Sequence, residues 1–406
     1  MLRLLGTERL GRFLQALDEP LPVSLRLNPR ISSRAVLPQE AEAVPWCPTG
    51  FYLPARPNFT FDPLFHAGCY YVQEASSMFI DHVLRQYVKE PVWMLDLCAA
   101  PGGKSTAARA VLPEGSVLVA NEPVRQRASI LMENIMKWGW PDCIVTNNYP
   151  KDFRKAKQRF DVILCDAPCS GEGMFRRSVQ RDACPGKKDT GAVGEWSPQN
   201  VEHCWRLQRE IVTEAWQCLA DGGLFIYSTC TYNTKENEEN VRWMMEELGA
   251  AVLPVETKAE WNITGSLLSG FDAPVYRFIP GFTKGEGLFM AVMRKPGKDV
   301  ACHRQMSHLL KANKTFALNI LYEGLQETGE HPQTELSYKE AISYLRGEAI
   351  VLPPDAPRGL VKVAFCGQSL GLVKNIGNRA NNLYPKEWRI KSTHIPEEYE
   401  TILGIA

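Results

Sequence analysis

The stretch Phe160-Asp161-Val162-Ile163-Leu164-Cys165-Asp166-Ala167-Pro168-Cys169-Ser170-Gly171-Glu172-Gly173-Met174-Phe175 governs the reading of the chain. Val162 to Cys165 is an apolar, β-branched run and predicts a short buried strand. It ends in Asp166-Ala167-Pro168-Cys169-Ser170-Gly171, where proline stiffens the backbone and glycine loosens it. A carboxylate, a thiol and a hydroxyl are thereby placed on a turn at the carboxyl end of a strand, where open α/β sheets bind ligands. Alone, the same residues also fit a buried strand with a polar turn and a structural cysteine. The surroundings decide between the two.

A chain of 406 residues suggests two or three domains, and a hydrophobic share of 45% is ordinary for a globular protein. No apolar run is long enough to span a bilayer, and Arg3, Glu8 and Arg9 interrupt the start where a signal peptide would be apolar. Twelve cysteines without a Cys-x-x-Cys pair read as reduced thiols of a cytoplasmic protein. The formal net charge of +0 excludes a global attraction to nucleic acid. Basic residues do cluster locally, at Lys151, Arg154, Lys155, Lys157 and Arg159, at Arg176, Arg177, Arg181, Lys187 and Lys188, and at Lys374, Arg379, Lys386, Arg389 and Lys391. Each cluster alone is more often a solvated face than a binding site.

Residues 1–70 read as a small mixed domain, with a strand over Leu21 to Asn28 that puts Arg26 and Asn28 on one face. A helix follows near Ser76, with Met78, Phe79, Val83, Leu84 and Val88 as its apolar face. From Val92 onward, strands and helices alternate as in a parallel sheet. The expected strands are Val92 to Cys98, Ser116 to Ala120, Cys143 to Thr146, Val162 to Cys165 and Leu224 to Tyr227. Ala251 to Val255 and Leu288 to Met293 complete the sheet. The helix Pro198 to Leu219 takes its apolar face from Val201, Leu207, Ile211 and Trp216, and Cys184 to Gly194 reads as a surface loop. Beyond Pro296-Gly297-Lys298 comes a small, mainly β domain with a helix near Lys339 to Leu345 and strands at 349–352, 360–365 and 371–375. The division is thus 1–70, 71–297 and 298–406, an α/β catalytic unit between two smaller domains.

Met94-Leu95-Asp96-Leu97-Cys98-Ala99-Ala100-Pro101-Gly102-Gly103-Lys104-Ser105-Thr106 joins the first core strand to its helix. Glycines let backbone amides approach a ligand at a helix amino terminus. Gly103-Lys104-Ser105 fits a phosphate loop, but Cys98 stands where that loop needs its first glycine. S-adenosylmethionine is the competing ligand, and Glu122, at the end of the second strand, is placed to pair with its ribose hydroxyls.

Tyr227-Ser228-Thr229-Cys230-Thr231 sets a second thiol at the end of the fifth strand, across one cleft from Cys169 if the two strands are neighbours. The segments Asp166 to Phe175 and Tyr227 to Thr231, with Glu236-Asn237-Glu238, resemble the two signature motifs of the RNA cytosine-C5 methyltransferases. Cys98 to Lys104, Tyr71-Val72-Gln73-Glu74 and Gly285-Glu286-Gly287-Leu288-Phe289 resemble further segments of that family. With its β-rich tail the chain is most similar to the RsmF-type bacterial enzymes of small-subunit ribosomal RNA. It departs from the pattern at Asn147-Asn148-Tyr149, where an acid is common, at Ser178, and in the inserted Cys184 to Gly194.

The resemblance implies a Rossmann-like S-adenosylmethionine-dependent methyltransferase core between an N-terminal RNA-recognition domain and a C-terminal PUA-like RNA-binding domain. It implies cofactor contacts from Cys98, Ala99, Ala100, Pro101, Gly102, Gly103, Lys104, Glu122, Arg127, Asn148 and Asp166. It makes Cys230 the nucleophile and leaves Cys169 to assist product release. A thiolate adding at carbon 6 of cytosine makes carbon 5 electron-rich enough to take a methyl group. Asp166, with a raised pKa, would donate to nitrogen 3. The target base has to leave its stack to be reached. A zinc site built from Cys165, Cys169 and Cys230 lacks paired spacing and a nearby histidine, so no metal is expected. Removal of the tail is expected to weaken RNA binding and spare the cofactor site.

Overall fold

The structure, a computed structural model, describes residues 1–176, 191–298, 318–323, 331–392, 395–396 and 402–406. The apolar runs Trp93–Asp96, Val117–Asn121 and Cys143–Thr146 are buried along their whole length, as strands covered on both faces must be. With Phe160–Asp166 and Leu219–Thr229 they pair in parallel, in the spatial order Leu219–Thr229, Phe160–Asp166, Trp93–Asp96, Val117–Asn121, Cys143–Thr146. Leu288–Arg294 inserts antiparallel beyond Leu219–Thr229 and carries Ala251–Leu253 on its other side. The order reverses beside Trp93–Asp96, so a crevice opens at the carboxyl ends of the central strands. Helices Gly103–Val111, Arg125–Trp138 and Pro198–Cys218 accompany the strands. The expected strands all form, with ends shifted by a few residues, except at 349–352, where only Ile350 makes a single bridge to Ala380.

Several elements among the described residues were not anticipated. The chain opens with a helix, Leu2–Asp18, kinked at Gly6, where φ is 71°. Its Leu5 and Phe13 pack on Tyr232 and Ile279, so the helix roofs the loop after Cys230. Pro150–Lys155 is a short helix, and Tyr276–Phe278 adds a strand to Leu288–Arg294. Ile320–Glu323 returns to the central sheet, antiparallel to Cys143–Thr146. Gly191–Glu195, placed in the surface loop by sequence, is a short helix. The rest of that loop, Arg177, Ser178, Arg181, Lys187 and Lys188 lie outside the described residues.

The N-terminal sheet takes in Val23–Leu27, Gly50–Leu53 and Tyr70–Val72, which straddles residue 70. The tail forms a second four-stranded sheet from Gln333–Glu335, Gly359–Phe365, Gln368–Asn375 and Ala380–Asn382. The two share one apolar core, in which Leu25, Leu27 and Leu64 sit with Ile342, Leu345 and Leu403. Among the described residues no helix is long and apolar enough to cross a membrane.

Candidate active site

The parallel register sets Ser228 beside Asp166, so the turns after both strands begin at one level. Three residues past Asp166 and two past Ser228, the Cys169 and Cys230 sulfurs lie 3.2 Å apart. Gly173 permits this approach: its amide donates to the Cys230 carbonyl at 2.8 Å, and a Cβ there would come within 2.7 Å of that oxygen. The hydrogen bond from Cys169 pulls the Cys230 thiol below its usual value against the opposing effect of burial, and the Lys104 charge adds to the pull. Cys169 is pushed well above its usual value, first by that same hydrogen bond and then by burial. Of the two, Cys230 is the sulfur whose surroundings favour the thiolate, and Cys169 the one they keep as a thiol.

Two buried carboxylates tie the thiol loops together, each reaching from one loop to the other. Glu172, after Cys169, accepts from the amides of Tyr232 and Asn233 at 2.7 and 2.9 Å and from the Thr231 hydroxyl at 2.8 Å. Glu236, after Cys230, accepts from the Ser170 amide at 3.0 Å and from the Ser170 hydroxyl at 2.5 Å. Gln208 and Asn233 donate to the same carboxylate, each at 2.7 Å. Gln208 also donates to the Pro168 carbonyl at 2.9 Å. A buried charge of this kind is tolerated because every approach to it is a donor. Gln208 was missed from the sequence, where the helix face was phased through Leu207 and Ile211. The buried face in fact runs through Cys204, Gln208 and Val212, and the i, i+4 spacing of a glutamine with apolar neighbours was the available signal.

Asp166 does not stand alone as a proton donor. Lys104 donates to Oδ2 at 2.8 Å and Ser228 to Oδ1 at 2.6 Å, so both oxygens are engaged. Burial works against the Lys104 ammonium, yet the Asp166 carboxylate outweighs it and raises its pKa. In the same helix turn Ser105 donates to Asp96 at 2.6 Å, and burial raises that carboxyl to about 7. Lys104 and Ser105 are thus committed to carboxylates within the fold, which removes the groups a phosphate loop would use.

The loop expected to hold the cofactor starts at Cys98, and its turn is made by Gly102 at φ 115°. A Cβ there would meet Leu131 at 3.3 Å, so the backbone lies close on the next helix. Arg127 donates to the Ala100 carbonyl at 3.1 Å and lies 3.5 Å from Glu122, joining two of the expected contact groups. Glu122 is 1% exposed, accepts from the Val124 amide through Oε1, and leaves Oε2 without a hydrogen bond. A carboxylate oxygen that faces Arg127 at 3.5 Å but accepts no hydrogen bond, beside a glycine turn, fits a ligand with adjacent hydroxyls. Ala99 is buried against the fold. The Asn148 side-chain amide donates to the Asn319 carbonyl at 3.2 Å and accepts from the Asn319 backbone amide at 3.0 Å.

Beside the thiol site, a cleft of about 1360 Å³ opens between the N-terminal and central domains, with Arg56, Arg176 and Lys284 among its lining residues. Its wall residue Glu286 accepts through its carbonyl from Tyr232, the second residue after Cys230. Glu74 accepts from the Glu286 amide at 3.1 Å, so the two outlying motif segments meet here. Among the described residues no group of three or more His, Cys, Asp and Glu side chains could hold a metal ion.

Residues 83–294 match the family described as 16S rRNA methyltransferase RsmB/F. Residues 1–75 match the N-terminal domain of 16S rRNA methyltransferase RsmF, and residues 331–390 its PUA domain. Ribosomal RNA small subunit methyltransferase F of Cronobacter sakazakii is 35% identical, with 92% of each chain covered. The protein of that name in Salmonella heidelberg is 30% identical over 94% of this chain and 93% of its own. Among solved structures, a methyltransferase homolog protein from Pyrococcus horikoshii superposes with a TM-score of 0.58 at 26% identity, covering 72% of this chain and 92% of its own.

Proposed function

The chain belongs to the 16S rRNA methyltransferase RsmB/F family, and on that premise we propose that it methylates carbon 5 of a cytosine in small-subunit ribosomal RNA through a covalent thiolate adduct at carbon 6. It is an S-adenosylmethionine-dependent methyltransferase, and that cofactor, when bound, supplies the electrophilic methyl group. The observation that carries the finer reading is the pair of sulfurs at 3.2 Å, one favouring the thiolate and the other the thiol. A binding module needs no such pair.

Each step falls to a group already placed. Cys230 adds to carbon 6 as the thiolate. Lys104, held by Asp166, carries the proton that nitrogen 3 needs as the adduct forms. Asp166, as a paired carboxylate, can accept from the exocyclic amine of cytosine. Once Cys230 is bonded to carbon 6, Cys169 loses the sulfur that favours its protonated form. It releases its own proton to solvent and takes the carbon 5 proton as the thiolate. The bond from carbon 6 to sulfur then breaks, returning Cys230 as a thiolate while the nitrogen 3 proton returns to Lys104. Glu122, Arg127 and the segment Cys98, Ala99, Ala100, Pro101, Gly102 and Gly103 are assigned to the cofactor, and Asn148 to the wall behind it. Residues 1–70 and 298–406 are assigned to RNA recognition and 71–297 to catalysis, with Ile320–Glu323 returning to the catalytic sheet. A cytoplasmic location follows from the proposed substrate.

The test is a comparison of two variants on the target RNA. Cys230→Ala should form no covalent complex and no 5-methylcytosine. Cys169→Ala should still add and methylate but release slowly, so an adduct that survives denaturing electrophoresis accumulates. An adduct in Cys230→Ala and none in Cys169→Ala would exchange the roles.

A further inference from the structure

Arg26 is a guanidinium with an unusual position. It sits on the N-terminal strand Val23–Leu27 and is 0% exposed, yet its reach is into the catalytic domain. Nε donates to Gln73 Oε1 at 2.9 Å. Nη2 donates to Thr106 Oγ1 at 2.6 Å and to the Gly103 carbonyl at 3.4 Å. The flat face of the group lies over the Trp138 ring at 4.4 Å. None of these partners is a carboxylate, and Nη1 has no partner at all among the described residues. Burial lowers the Arg26 pKa to about 10, which still leaves it charged at neutral pH.

A buried cation with no carboxylate in hydrogen-bond reach is unfavourable, even with Asp81 acting on it from further off, and a position at a helix amino terminus adds to the cost. Both penalties are present, because Gly103 and Thr106 lie in the first turn of Gly103–Val111. The surroundings show what the arrangement secures. Thr106 Oγ1, which accepts from Arg26, itself donates to the Gly102 carbonyl at 2.8 Å. A Cβ on Gly103 would lie 3.4 Å from the Tyr71 ring and 3.5 Å from the Gln73 side chain, so both residues back the turn directly. Asn134 closes the other side by donating to the Pro101 carbonyl at 2.8 Å. The glycine turn is therefore held from behind by side chains of the N-terminal strands and their extension.

We propose that Arg26 is a positioning residue for the cofactor: from the N-terminal domain it fixes the Gly102–Gly103 turn and adds its charge to the helix terminus that receives the anionic, carboxylate end of S-adenosylmethionine. The inference rests on Cys98 to Lys104 being the cofactor loop. It gives the N-terminal domain a task apart from RNA, since Arg26 is fully enclosed and touches no surface.

Calorimetric titration of the full chain with S-adenosylmethionine tests it, using Arg26→Met, Arg26→Lys, Thr106→Val and Glu122→Ala. Arg26→Met should weaken the cofactor about tenfold or more, as expected for loss of hydrogen bonds to a charged group. Arg26→Lys should recover part of that loss, keeping the charge without the fork. The KM for the cofactor should rise with kcat retained at saturation, and RNA affinity should stay within about twofold. Unchanged cofactor affinity in Arg26→Met, with Glu122→Ala weakened, overturns the inference and keeps the loop reading. Unchanged affinity in both overturns the two together. Parallel loss of RNA and cofactor affinity assigns Arg26 to folding alone and also overturns it. If Arg26→Met does not fold, Thr106→Val decides: it removes one hydroxyl, and normal cofactor affinity in that variant overturns the proposal.

Discussion

The lowering of the Cys230 pKa comes first from a single sulfur. The Cys169 thiol donates to it, the Lys104 charge helps, and burial opposes both. Removing the donor destabilises the thiolate, so the Cys230 pKa in Cys169→Ala should rise. Alkylation of Cys230 by iodoacetamide, followed by peptide mass spectrometry across about pH 6 to 9, should then show its midpoint moving to higher pH. Reaction near neutrality should slow accordingly. A midpoint that stays in place would mean that Lys104 alone holds the thiolate. The residue types at this site were legible in the sequence because they sit at strand ends, where spacing and glycine turns announce them. Their protonation was not. The partners of Asp166 were not legible either: Lys104 and Ser228 reach its two oxygens only through the packing of the first and fifth core strands beside the fourth.

At the scale of elements, the crossed carboxylates make the two thiol turns one unit. Glu236→Gln keeps the size of the side chain but turns an NH2 group towards donors from Ser170, Gln208 and Asn233. Hydrogen bonds to a charged group are worth about 1.5–3 kcal/mol each, and their loss should let the sulfurs separate. The expected result is loss of the RNA adduct with cofactor affinity retained, since Glu236 makes no contact with the Cys98–Lys104 loop. Retained adduct formation would show that the turns keep their geometry without the carboxylate. The parallel strands were readable as near-continuous apolar runs, each bounded by turn residues. Ile320–Glu323 was not, because a four-residue edge strand becomes a strand only when Cys143–Thr146 offers it partners. Leu2–Asp18 was missed for a different reason: Gly6 and Gly11 interrupt its apolar stripe, and Phe13 finds its place only against Tyr232.

For the whole molecule, the tail is not a detachable RNA grip. Its helix Tyr338–Leu345 packs with Leu25, Leu27 and Leu64 in one core, and Gly404–Ile405 pairs with Ala35–Val36 near the other end of the chain. The sequence placed a boundary near Gly297 on a shift in composition, and composition carries no information about which domains share a core. Cutting there would strip that core and also take Ile320–Glu323 from the central sheet. Each large apolar side chain so exposed forfeits about 1.5–3 kcal/mol, and three leucines together rival the stability of a domain. The truncated chain should therefore lose cooperative unfolding and aggregate, where the sequence led us to expect an intact cofactor site. The RNA contribution of the tail has to be read by charge in the intact chain. Lys374 on the tail sheet, Arg379 just before its last strand and Lys386 in the short turn Lys386–Trp388 are exposed. Replacing all three with glutamate should weaken RNA binding at moderate salt and reduce the salt slope by about one for each phosphate no longer neutralised. Cofactor affinity and the unfolding midpoint should stay near their original values, because none of the three side chains enters the shared core. Filter binding across a salt series separates the outcomes: a parallel drop at every salt concentration would mean that the tail contributes shape and not charge.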